Sequence, residues 1–226
     1  MIQGKTMTVA PMQPIVPLPF APYYEGGGIK IYNADCRKVL PWLDRFDLLL
    51  TDPPYGIGRD GSRPSTSKHG GRKAYEFQGW DSETPPDYVL QMCLDSAKEH
   101  VVWGANYFPK VFDGSMGWLV WDKGQDICSS DCELAYSSRK TALRRLVLNR
   151  VALMKDGTTH PTQKPVALMR WCLSLFEDAK TIVDPFMGSG TTLVAAKLEG
   201  REAVGIEMNE RYCESAAKRL SQGTLF

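Results

Sequence analysis

The chain has 226 residues, with 43% hydrophobic and 23% charged side chains and a net charge of +1. Such values fit one large globular domain. They exclude a disordered polyelectrolyte and a globally basic nucleic-acid binder, so contact with a phosphate backbone must use local patches. No apolar run approaches membrane length and no signal peptide is visible. The cysteines at 36, 93, 128, 132, 172 and 213 are dispersed. Only Cys128 and Cys132 lie close together, without the His or second Cys pair of a zinc set. They read as free thiols of a reducing, cytoplasmic compartment, and no metal site is expected.

Residues 1–28 hold five prolines and end in Gly26-Gly27-Gly28, which predicts an extended arm rather than part of the folded unit. Ile29–Tyr32 reads as a strand. Asp35 follows it and serves equally as the cap of a short helix to Leu40 or as a ligand-binding carboxylate at the sheet's carboxyl edge. Phe46–Leu50 is a second, buried strand.

That strand empties into Asp52-Pro53-Pro54-Tyr55. Two prolines fix φ, remove donors and force Pro53 extended, so the Asp52 carboxylate and the Pro53 carbonyl form a rigid pair of acceptors beside an aromatic ring. Two fixed acceptors next to a flat ring suit the exocyclic amino group of a nucleobase. Hydrogen bonds from its two protons favour a more tetrahedral nitrogen as attack begins, which is stabilisation aimed at the transition state. A proline-rich turn is the plain alternative.

Residues 56–80 form a long polar loop whose basic residues Arg59, Arg63, Lys68, Arg72 and Lys73 suit a phosphate backbone. A helix is predicted over 84–98, with strands at His100–Trp103, Trp118–Trp121 and Glu133–Tyr136, the later ones closely spaced as in an antiparallel edge hairpin. This alternation predicts a mostly parallel α/β sheet. Residues 139–155 carry Arg139, Lys140, Arg144, Arg145, Arg150 and Lys155 with no acidic residue among them, the strongest positive patch in the chain. His160-Pro161-Thr162-Gln163-Lys164-Pro165 precedes a helix over 166–177 that is apolar nearly all round, as expected of a deeply buried helix or a homodimer interface.

A strand at Thr181–Val183 then runs into Asp184-Pro185-Phe186-Met187-Gly188-Ser189-Gly190-Thr191-Thr192. A helix follows, then a strand ending in Glu207, then a helix capped by Asn209. The glycines let the backbone approach a ligand. Leu193 replaces the third glycine of a dinucleotide loop, and the Lys of a phosphate-binding loop is missing. What remains is a nucleoside without phosphates, and S-adenosylmethionine is such a molecule.

Taken in this order, the tetrad, the His160–Pro165 segment and the glycine loop resemble the beta-group amino DNA methyltransferases, which act on N6 of adenine or N4 of cytosine. The likeness covers about residues 29–220. It implies a single seven-stranded, mainly parallel Rossmann-like sheet, circularly permuted, with Ala203–Glu207 beside Ile29–Tyr32. It implies catalysis by Asp52, Pro53, Pro54 and Tyr55 on a flipped base of double-stranded DNA, with an initial Asp favouring adenine. It also implies S-adenosylmethionine as cofactor, held by Asp184, Pro185, Phe186, Gly188, Ser189, Gly190 and Thr191 at the methionine part and by Glu207 at the ribose. Asp35 and Cys36 would meet the adenine, with His160, Thr162 and Lys164 completing the pocket. These enzymes usually insert a sizeable recognition domain. Here only 56–80 and 139–159 are candidates, so recognition is compact, relaxed or shared across a dimer. The competing functions are methylation of cytosine N4, of RNA or of a protein glutamine, and non-catalytic DNA binding on the same fold.

Overall fold

A run of strands apolar on both sides builds the centre of the protein. The structure is a computed structural model that describes residues 19–58, 82–112, 114–124, 130–149 and 163–222. The strands are β1 (Tyr24–Gly26), β2 (Ile29–Asn33), β3 (Phe46–Thr51), β4 (Ala97–Trp103), β5 (Leu119–Asp122), β6 (Cys132–Ser137), β7 (Arg144–Val147), β8 (Thr181–Asp184) and β9 (Glu202–Glu207). They form one sheet in the order β1-β2-β9-β8-β3-β4-β6-β5-β7. The five strands from β2 to β4 in that order are parallel, as crossovers through helices require. β6 runs antiparallel to both β4 and β5, and β1 runs antiparallel to β2.

Period-two alternation sends each central strand into two apolar layers. Ile29, Ile31, Leu48, Leu50, Val101 and Ile182 face one side. There they meet α3 (Val166–Ser174), α4 (Thr191–Leu198) and α5 (Glu210–Ser221) through Leu168, Leu173, Leu193 and Ala216. Tyr32, Leu49, Val102, Val183 and Ile206 face the other side, toward α1 (Cys36–Val39) and α2 (Asp87–Asp95). Asp47 ties β3 to the start of β8, accepting from the Lys180 and Thr181 N–H groups at 2.9 and 3.1 Å.

Four expectations change. Among the described residues the sheet has nine strands rather than the seven expected, with short edge strands at both sides. Of the arm expected over 1–28, residues 1–18 lie outside the described residues, and its last part joins the sheet, since Tyr24–Gly26 pairs with Ile29–Ile31 across a tight turn that Gly27 and Gly28 make at positive φ. The helix over 84–98 is shorter: Ser96 closes α2, and β4 already pairs with β3 at Ala97. The helix over 166–177 ends at Ser174, and it is not apolar all round. It buries Leu168, Met169, Cys172 and Leu173 in the chain's own core and turns Ala167, Arg170 and Ser174 outward, with Val166 and Trp171 half-buried. No helix among the described residues is long and apolar enough to cross a membrane.

Candidate active site

The sheet order determines where the acids stand. β2, β9, β8 and β3 are neighbours and parallel, with Asn33 opposite Glu207 and Asp184 opposite Gly205. Their carboxyl ends therefore carry Asp35, Glu207, Asp184 and Asp52 in a row along one edge, where open α/β sheets bind ligands. A cavity of about 550 Å³ lies there, within the usual range for a small-molecule site. Asp35, Cys36, Asp52, Pro54, Lys164, Asp184, Pro185, Phe186, Gly188, Ser189, Thr191 and Glu207 all line it. Pro53, Tyr55 and Gly190 are not in its lining but adjoin residues that are, Pro53 and Tyr55 flanking Pro54 and Gly190 between Ser189 and Thr191. His160 and Thr162 lie outside the described residues. A more open depression of about 380 Å³ beside Tyr23, Glu214 and Lys218 carries none of the motif residues.

The glycine loop is shaped by what it must avoid. Gly190 sits at φ +77°, and a Cβ there would stand 2.7 Å from the Ala216 Cβ. Only glycine lets the loop pass this close to α5 and open α4 into the cavity. Glu207 holds the loop from the neighbouring strand, accepting from the Gly188 N–H at 3.1 Å and the Asn209 N–H at 2.7 Å. Burial pushes its carboxyl above the usual range against these hydrogen bonds. Asp184 is buried beneath the loop, accepting from Thr51 Oγ1 at 2.7 Å and the Phe186 N–H at 3.2 Å. Burial pushes it up to about 6, opposed by hydrogen bonds from Thr192, Thr51 and Phe186. Asp35 caps α1 by accepting from the Arg37 N–H at 2.9 Å and pairs with the Arg37 guanidinium, which holds it below the usual range. It is both cap and cavity residue, so the two readings of Asp35 do not compete.

At the other end of the row, the tetrad presents the Asp52 carboxylate to the cavity. The Tyr55 hydroxyl donates to Asp52 Oδ1, and the Lys164 ammonium donates to Oδ2 at 2.5 Å. The Tyr55 ring stacks on Tyr107 with centroids 4.8 Å apart and planes 10° from parallel. Gly104, at φ +67°, gives the ring its room: a Cβ there would stand 1.9 Å from Tyr55 Cε1. Lys164 also meets Glu133 Oε2 at 3.0 Å, and Glu133 Oε1 meets Lys123 at 2.8 Å. Burial pushes Asp52 up, with Lys164 opposing and Glu133 adding to the rise. Glu133 is held at about 2, its burial outweighed by the Lys164 and Lys123 ammonium groups.

Lys164 thus stands beside the tetrad as well as in the cavity wall. Glu133 and Lys123 carry no motif; a lone acid in the strand Cys132–Ser137 and a buried Lys just after β5 were their only signal. Gln163 lines the cavity too, accepting from Ser189 Oγ at 3.2 Å. Among the basic candidates, Arg139 is turned inward. It donates to the Leu175 carbonyl at 2.6 Å, pairs with Glu99 at 3.4 Å and lies over the Phe176 ring. Lys140, Arg144 and Arg145 are exposed, with Arg145 3.4 Å from Asp122. Arg59, Arg63, Lys68, Arg72, Lys73, Arg150 and Lys155 lie outside the described residues.

Comparison with known proteins agrees with this layout. A family model described as DNA methylase, for N6 and N4 enzymes, matches residues 116–218. YubD of Escherichia coli (strain K12), named as a methylase, is 44% identical over 216 residues, covering 85% of this chain and 90% of that protein. The type II methyltransferase M2.LlaDCHI of Lactococcus lactis subsp. cremoris is 26% identical over 256 residues, covering 91% of this chain and 94% of its own. The crystal structure of an M1.HpyAVI–SAM complex has the same fold, at 22% identity and a TM-score of 0.57, over 84% of this chain and 99% of that one. With the acid row, the glycine loop and the tetrad on one cavity, the chain belongs to the N6/N4 amino DNA methyltransferase family.

Proposed function

We propose that this protein transfers a methyl group from S-adenosylmethionine to the N6 amino group of an adenine flipped out of double-stranded DNA. The observation that carries the reading is the single cavity that Asp52 shares with Asp184, Gly188 and Glu207. S-adenosylmethionine supplies an electrophilic methyl group on a sulfonium. Within this cavity Glu207 binds the ribose hydroxyls, Asp184 and the glycine loop bind the amino-acid part, and Asp35 and Cys36 border the adenine. Asp52 and the Pro53 carbonyl would accept hydrogen bonds from the two protons of the target amine and orient its lone pair toward the methyl carbon; once the nitrogen is methylated and cationic it loses one proton. The arrangement of β2 beside β9 is the one expected of the permuted beta-group topology. Exposed Lys140 and Arg144, with Arg145 paired to Asp122, are basic residues that would contact the phosphate backbone. A DNA substrate and bacterial relatives support a place in the bacterial cytoplasm.

Incubation with labelled cofactor and unmodified duplex DNA, followed by digestion to nucleosides, tests this reading. N6-methyladenine is expected; N4-methylcytosine would move the specificity to the other base, and no labelled nucleoside would leave a non-catalytic DNA binder. Two binding results are expected by calorimetry. Glu207→Ala removes a ribose acceptor and should weaken cofactor binding about tenfold or more, roughly 1.4 kcal/mol. Affinity should also depend on Asp184. Its carboxyl is neutral below its raised pKa of about 6 and ionised above it, and only the ionised form attracts the ammonium group of the amino-acid end. Affinity should therefore rise from roughly pH 5 to pH 7 and then level off. A flat or falling profile would remove Asp184 from contact with that end.

A further inference from the structure

The Asp52 carboxylate is already engaged before any substrate arrives. Oδ1 takes the Tyr55 hydroxyl and Oδ2 takes the Lys164 ammonium, an amine in the place a target amine must claim. Lys164 is deeply buried and cannot retreat to water. Its second anionic neighbour is Glu133, 3.0 Å away. Glu133 is fixed from behind, since its other oxygen is held by Lys123, itself buried and donating to the Ser130 carbonyl at 2.9 Å. The chain Lys123–Glu133–Lys164–Asp52 thus crosses from the antiparallel edge of the sheet, β5 and β6, to the end of β3.

We propose that Glu133 is a positioning residue for methyl transfer, which holds the Lys164 ammonium and takes it over when the amine of the flipped base claims Asp52. The inference rests on the reading of Asp52 as acceptor of that amine. Its physical basis is that a buried ammonium must keep a carboxylate partner wherever it stands. An Asp52–Lys164 pair alone would be a dead end, because every amine entering the site would strand the lysine charge. A second carboxylate within reach makes the exchange close to neutral. The handover moves no covalent bond; one ammonium shifts its hydrogen bond from one carboxylate to the other.

The groups facing Asp52 are Tyr55, Lys164, Glu133 and Asp184, and those facing Glu133 are Lys164, Lys123, Asp52 and Tyr55. Neutralising Glu133 leaves the Lys164 charge to Asp52 alone, whereas removing Lys164 leaves Asp52 facing two carboxylates. The two changes should move the acid limb of the pH–rate profile in opposite directions.

The test uses the full chain, single-turnover methyl transfer to duplex DNA across pH, and cofactor affinity as a check on folding. Glu133→Gln should slow transfer about 10- to 100-fold and move the acid limb down, with cofactor affinity kept. Lys164→Met should move it up. The double variant Glu133→Gln/Lys164→Met should be no slower than Lys164→Met, since Glu133 acts through Lys164. Additive losses, an unmoved acid limb, or a Glu133→Gln rate equal to that of the unchanged protein would overturn the inference alone. If Glu133→Gln does not fold, the comparison of Lys164→Met with the double variant still decides between coupling and additivity. No transfer by the unchanged protein would overturn the proposed function, and this inference with it.

Discussion

Replacing Asp52 by alanine is expected to lower the single-turnover rate of methyl transfer by about 10³-fold while leaving cofactor affinity nearly unchanged. The magnitude follows from what the carboxylate does. It is the charged member of the acceptor pair, it lies at a cavity wall, and it acts on a nitrogen whose lone pair the purine ring otherwise delocalises. A hydrogen bond that strengthens as the nitrogen becomes cationic lowers the barrier and not the ground state. The separation from cofactor binding follows from the sheet order. Asp52 ends the row, with Asp184 between it and Glu207. The fold should also survive the change, because Glu133 remains as a partner for the buried Lys164. Rapid-quench assays with labelled cofactor, beside calorimetric titration, separate the two quantities. A variant that keeps more than about a tenth of the rate would show that the Pro53 carbonyl suffices and that the carboxylate is incidental.

The second large effect is expected from a single methyl group. Gly104→Ala puts a Cβ where the Tyr55 ring now lies, 1.9 Å from Cε1, at a residue held at φ +67°. Backbone strain of about 1–2 kcal/mol is the smaller part of the cost. The ring cannot stay, because Tyr107 stacks on it at 4.8 Å and Phe108 meets it edge-on. Displacing it takes the hydroxyl from Asp52 and the aromatic surface from the place where the flipped base would stack. A shift of about 1 Å at such a site costs on the order of 10²-fold in rate. The loss should appear in transfer and in the binding of DNA containing an unpaired target base, and not in cofactor affinity. Serine at 104 should behave like alanine, since Cβ rather than polarity is at fault. An alanine variant as active as the original would mean that Tyr55 is not the stacking surface.

Which features the sequence reveals, and which it hides, follows from the range of the interactions. Phe46–Thr51 and Thr181–Asp184 are legible because each is a short apolar run ended by an acid, and local pattern decides both strand and edge. The same holds for Gly188-Ser189-Gly190, although its closest neighbour, Ala216, is distant in sequence. The edge strands are not legible. Tyr24–Gly26 and Arg144–Val147 are short and polar or basic, and only pairing with β2 and β5 makes them strands. Arg139 looked like a member of a basic patch because composition cannot show that Glu99 and Phe176 stand beneath it. The apolar look of residues 166–177 is legible as burial, because Leu168, Met169, Cys172 and Leu173 all enter the chain's own core. Glu133 is the clearest case. Nothing near it in sequence points to Lys164 or Asp52, and three separate segments must fold before the ion-pair chain exists.

The role of the tetrad is tested most directly in cells. Modified-base sequencing of genomic DNA from a host expressing the unchanged protein, beside one expressing Asp52→Ala, reads the product and its dependence on Asp52 in one experiment. N6-methyladenine at a recurrent sequence, present with the unchanged protein and absent with the variant, is the predicted result. The same modification pattern in both hosts, with both proteins folded and binding cofactor, would contradict it.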